Sequence, residues 1–167
     1  AQTETEIPEA FKAALFSNLK GTVTEASDAE ATGNTCKSAI TISVGSAVTW
    51  SNVGVPETPM ICDSSFDPSG PSVWYRFVGT GSGVFVSSCD DSTGTDSGIY
   101  ISRASSSEDT CSNLSCASKS SDVGNTCAMN TDSSMTMFDT VAGVTYYVQV
   151  FSHGAERATG RLRVVNA

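Results

Sequence analysis

GPSVWYRFVGTGSGVFVSSCDD, residues 70–91, holds two short runs with a turn between them. In SVWYRFV (72–78), Val73, Tyr75 and Phe77 alternate with Trp74 and Arg76. GTGS separates this run from GVFVSSC (83–89). Period-two alternation bounded by Gly and Ser is the signature of half-buried strands joined by a tight turn. The same pattern recurs downstream. Tyr146, Val148 and Val150 face one way with Gln149 opposite, and Leu162 and Val164 alternate with Arg161 and Arg163. Further strands are expected near 39–44, 47–52, 98–102, 114–118 and 134–138, with those just described spanning 145–151 and 160–165. One buried and one wet face per strand implies antiparallel sheets. Many strands without crossover helices give an all-β, two-sheet antiparallel β-sandwich or jelly roll.

The chain has 167 residues, enough for one domain with a real core. Only 16% of residues are charged, and Ser and Thr crowd the loops instead. A net charge of −9 leaves no basic stripe for nucleic acid. It would also be repelled by an acidic membrane, and no apolar run is long enough to insert into one. The acidity reads as solubility.

Six Cys, none in a C-x-x-C pair, and a single His offer no common zinc set. Three disulfides in an oxidising compartment are the natural expectation. The chain opens Ala-Gln, as a secreted protein does once its signal peptide is removed. An extracellular location follows as an expectation.

Residues 1–33 form an N-terminal extension and 34–167 the sandwich. The first 30 residues carry Glu4, Glu6, Glu9, Glu25, Asp28 and Glu30 against Lys12 and Lys20. IPEAFKAALFSNLK (7–20) has helical spacing, with Phe11, Ala14, Leu15 and Leu19 on one face and Pro8 suited to a first turn. A stretch this short does not hold itself in place in water. It either folds back on its own domain or inserts into a neighbour, as a helix or as an added strand.

From Cys36 to Val165 the chain resembles the bacterial pre-peptidase C-terminal-like domains, a secreted jelly-roll family. The resemblance is carried by NTCKSAITI (34–42), the 70–91 stretch, DSGIYISRASS (96–106), CSNLSCAS (111–118), SSMTMFDTVAGVTYYVQVFSHG (133–154) and TGRLRVV (159–165). It implies a two-sheet jelly roll and a non-catalytic accessory module. It also suggests the pairing Cys36–Cys62, Cys89–Cys127 and Cys111–Cys116, among the 15 connectivities that six Cys allow. The sequence departs from the family where Ser43 follows Ile42 and where Asp122 stands without an acidic neighbour, and no catalytic domain is expected beside the module.

Candidate chemistry is sparse. His153 sits in the FSHGAE turn with no G-x-S-x-G elbow, so no hydrolase triad is expected and the chain reads as non-enzymatic. Asp90, Asp91 and Asp96 offer hard oxygen ligands for calcium, but DDSTGTD is not an EF-hand loop and solvated turns explain it more simply. No metal or cofactor is expected. Trp50, Trp74, Tyr75, Tyr100 and Tyr147 could form a sugar-stacking platform; core packing suits Tyr75, and Tyr100 and Tyr147 are read as outward-facing glycan contacts. Asn113-Leu114-Ser115 is an N-glycosylation acceptor, and Asn34-Thr35-Cys36 and Asn125-Thr126-Cys127 are weaker variants.

Two functions follow as expectations. The first is an extracellular structural subunit that assembles head-to-tail with copies of itself into a filament or surface layer. Phe11, Leu15, Phe16 and Leu19 would anchor the extension, and Arg157, Arg161 and Arg163 would receive its acidic charge. The second is a carbohydrate-binding or adhesive module.

Overall fold

A computed structural model describes residues 32–62, 69–88, 97–105, 111–121, 134–152 and 158–167, together with the backbone of 24–25. The strands are β1 (Thr24–Glu25), β2 (Ile40–Thr41), β3 (Ser46–Ser51), β4 (Glu57–Pro59), β5 (Ser69–Val78), β6 (Gly83–Ser87), β7 (Ser97–Ala104), β8 (Leu114–Ser121), β9 (Met135–Asp139), β10 (Thr145–Ser152) and β11 (Thr159–Asn166). One sheet runs β1-β3-β11-β6-β9 and the other β2-β5-β10-β7-β8, with β4 added against the start of β5. The pairings are antiparallel except the two shortest, β1 on β3 and β2 on β5. This is the two-sheet antiparallel sandwich that the alternating runs imply.

The alternation explains the core. Tyr75 and Phe77 of β5, Val148 and Val150 of β10, and Leu162 and Val164 of β11 all belong to one buried cluster between the sheets. Each such side chain contributes roughly 1.5–3 kcal/mol through removal from water. Phe77 stacks on Tyr146 at 5.5 Å between centroids, and Phe138 closes the same group at 5.4 Å from Tyr146. Trp50 also lies in this cluster. A Cβ on Gly160, the residue paired with it across the strands, would stand 2.8 Å from the indole Nε1, so only glycine leaves the ring its space.

The turns reuse one threonine. Thr140 Oγ1 donates to the Ser82 carbonyl at 2.8 Å and accepts from Thr80 N at 3.1 Å and Gly81 N at 3.2 Å. It thereby ties the β5–β6 turn to the β9–β10 turn. At the opposite end the connections 88–97, 121–134 and 152–158 leave from neighbouring strand ends.

Two elements escape sequence patterning. β4 is three residues ending in Pro59, inside VPETPM, which carries no alternation. β1 is two residues in a stretch that reads as linker. The helical reading of 7–20 lies outside the described residues.

Candidate functional site

The outer face of the six-stranded sheet is not open. Trp74, Tyr100, Tyr147, Gln149 and Phe151 project away from the main core, as period two requires, yet each is at most 3% exposed. The segment carrying β4 lies over them. Trp74 Nε1 donates to Thr58 Oγ1 at 3.1 Å, and Thr58 also shares a hydrogen bond with Ser72 Oγ at 2.9 Å. Gln149 supplies the central clamp. Its Oε1 accepts from Ile61 N at 3.1 Å, and its Nε2 donates to Pro59 O at 3.0 Å. A buried carboxamide is stable here because both its ends are satisfied.

Two small clusters form beneath this cover. Trp74, Tyr147, Ala39 and Ala104 make one, flanked by Cys36 and Cys111. Tyr100, Phe151 and Cys62 make the other, flanked by Cys116. Tyr100 meets Phe151 edge-on at 4.8 Å. The glycan-contact reading of Tyr100 and Tyr147 is therefore corrected. Both do leave the main core, but each is 1% exposed under the cover and its disulfides, and neither presents a ring to a sugar. Trp50 and Tyr75 are buried in the main core.

The disulfide pairing is corrected in the same terms. Cys36 joins Cys111 and Cys62 joins Cys116, with Cα–Cα distances of 5.9 and 4.9 Å. Cys36–Cys62 and Cys111–Cys116 do not form. Cys111 and Cys116 belong to different clusters, so each meets the covering cysteine that packs on its own cluster. A shift in the β7–β8 register between Ile101 and Ser102 sets Cys116 opposite Ser102. Cys89 and Cys127 lie outside the described residues.

A polar layer closes the opposite end. Asn52 Nδ2 donates to Pro71 O at 3.1 Å and to Ser152 Oγ at 2.9 Å, and Asn52 Oδ1 accepts from Ala158 N at 2.7 Å. Ser88 Oγ lies 2.6 Å from Ser97 Oγ and accepts from Ser134 N at 2.9 Å. These buried groups satisfy one another and fix the bases of three connections. Asp90, Asp91, Asp96, His153 and Arg157 belong to those connections and lie outside the described residues. Among the described residues no three His, Cys, Asp or Glu side chains gather as a metal-ligand group.

The remaining feature is the edge of the five-stranded sheet. β1 pairs in parallel with β3, Thr24 opposite Ser46 and Glu25 opposite Ala47. Ala47 is in turn opposite Arg163 of β11. Glu25, Ala47 and Arg163 thus occupy one row across three strands. Arg161 stands two residues along, opposite Thr49. Arg161 and Arg163 alternate with the buried Leu162 and Val164, as the sequence implies. Phe11, Leu15, Phe16 and Leu19 lie outside the described residues. Sequence reasoning misses the β1 strand because two residues carry no period, and it misses Gln149 as a clamp because one polar residue on a strand reads as solvated.

No protein-family model matches the sequence, and no curated protein matches it significantly. Among solved structures the chain is similar to the pre-peptidase C-terminal domain of a collagenase from Bacillus anthracis. That likeness has 16% identity and a TM-score of 0.46, and covers 75% of this chain and 93% of that one. Two structural disulfides mark a protein of an oxidising, extracytosolic compartment. Among the described residues no helix is long and apolar enough to cross a membrane.

Proposed function

We propose that this is a non-enzymatic extracellular building block whose N-terminal extension joins copies head-to-tail by strand addition at the β3 edge. The observation that supports this reading is the β1 pairing itself. The extension places a strand on an open sheet edge through backbone hydrogen bonds, and every copy carries the same edge. A contact made within one chain can be repeated between chains at low cost when the element is exchanged. The acidic extension and the β11 arginines favour that geometry, because Glu25 shares a row with Arg163. Opposite charges steer approach and register more than they add affinity. An added strand that does not close on itself generates an open filament.

Negative-stain imaging and light scattering of the full chain, beside a variant lacking residues 1–30, test the reading. Extended assemblies are expected for the full chain and folded monomers for the truncated one. A full chain that stays monomeric at high concentration, or a truncated chain that assembles equally well, overturns it.

A further inference from the structure

We infer that Asn113 carries an N-linked oligosaccharide that shields the free edge of β8. The acceptor triplet Asn113-Leu114-Ser115 lies where Cys111 enters β8. Asn113 and Ser115 are both exposed, while the intervening Leu114 packs against the cluster containing Trp74 and Tyr147. The two polar positions the modification needs therefore face water, and the apolar one anchors the turn. The Asn113 backbone is also held, since Ser105 N donates to its carbonyl at 3.2 Å. Its side chain remains outside that contact. The other acceptor triplet within the described residues is built differently. Asn34 is half-buried, Thr35 caps the short 3-10 helix at Cys36–Ser38, and the Cys36 thiol is consumed in a disulfide.

The modification balances with a co-reactant of a defined class, an oligosaccharide linked to a lipid pyrophosphate. The Asn113 amide nitrogen bonds to the sugar C1 and loses one proton. The C1–O bond to phosphate breaks, and the lipid pyrophosphate leaves with that electron pair.

The position explains what the glycan does. Among the described residues β8 pairs only with β7, so an eight-residue strand borders its sheet. Lys119 is its one charged residue. Long edge strands with little charge invite pairing with other chains and are normally guarded by charge, proline, bulges or cover. β8 has a register irregularity beside Cys116, and a bulky hydrated glycan at its first turn adds cover. β8 packs beside β9 at one border of the sandwich, whereas β1 on β3 forms the other border of the five-stranded sheet, so the guard does not lie on the β1–β3 edge. The inference rests on the extracellular location and not on head-to-tail assembly.

Peptide mapping of native protein, with amide-glycanase release in heavy-oxygen water, tests the site. Asn113 should appear as labelled Asp, and Asn34 should remain unlabelled. An unmodified Asn113 peptide at full occupancy overturns the inference. Asn113→Gln and Ser115→Ala should each abolish the glycan and raise the aggregation rate severalfold in the truncated protein lacking residues 1–30, with unchanged circular dichroism. Equal aggregation rates with and without the glycan overturn the shielding role. Because the truncated background lacks the extension, failure here is separable from failure of strand addition.

Discussion

Gln149 Oε1 accepts a hydrogen bond from Ile61 N at 3.1 Å, across 88 residues of chain. With the bond from Gln149 Nε2 to Pro59 O, it helps fasten an irregular segment over the aromatic face of a sheet. Gln149→Leu keeps the volume but leaves the Ile61 N–H and the Pro59 carbonyl without this partner. The expected cost is about 1–3 kcal/mol. Urea unfolding followed by tryptophan fluorescence should show a lower midpoint and a red-shifted native emission from Trp74. An unchanged midpoint would mean that the β4–β5 pairing, the Thr58 hydrogen bonds and the Cys62–Cys116 disulfide hold the cover without Gln149.

Non-reducing peptide mapping should recover Cys36–Cys111 and Cys62–Cys116. The two bonds span 75 and 54 residues. By the chain-entropy argument each stabilises the fold by up to about 4 kcal/mol. The double variant Cys62→Ala/Cys116→Ala should lower stability by an amount of that order. It should also expose Tyr100, measurable as faster nitration by a tyrosine-specific reagent.

The sequence conveys the sandwich because its strands obey period two, and the inward set Val73, Tyr75, Phe77, Val148, Val150, Leu162 and Val164 is legible directly. It conveys the outward direction of Tyr100 and Tyr147 for the same reason. Their burial is illegible, since the lid over them is VPETPM, a stretch without alternation whose placement depends on Gln149 and a distant cysteine. The disulfide partners follow from which small cluster each cysteine joins. That is a tertiary fact, set for Cys116 by the register shift in β8.

Gly98 lies directly beneath the Phe151 ring, which occupies the space a Cβ would need. Gly98→Ala must move Phe151 off Tyr100, its edge-on partner at 4.8 Å. Overpacking of this kind costs about 1–3 kcal/mol or more. Thermal unfolding should show a clear drop in Tm. Pairing this change with Phe151→Leu should recover part of the loss, and full additivity would argue against the contact.

Burial pushes the Tyr75 hydroxyl well above its ordinary pKa. The folded state therefore keeps the proton longer than the unfolded chain, whose tyrosines ionise near pH ~10. Stability from this group is fully present below that pH and declines as pH rises above it, because only the unfolded chain gains by ionising. Tyr75→Phe should flatten the alkaline limb of a stability-against-pH curve. An equally steep limb in the variant would assign the alkaline loss to other groups.

The Cys36–Cys111 bond has a mechanical consequence. Tension entering through the extension reaches Cys36 and passes through sulfur to Cys111, so the loop between them, a sequence separation of 75, bears none of it. At roughly 3.3–3.6 Å per extended residue, about 250 Å of contour is withheld from stretching while the bond is intact. Loss of this bond alone would shift the load path to Cys62–Cys116 and free only the chain from Cys36 to Cys62. The full slack would be released only when both bonds are reduced, while an oxidised subunit would yield from Cys111 toward its C-terminal strands.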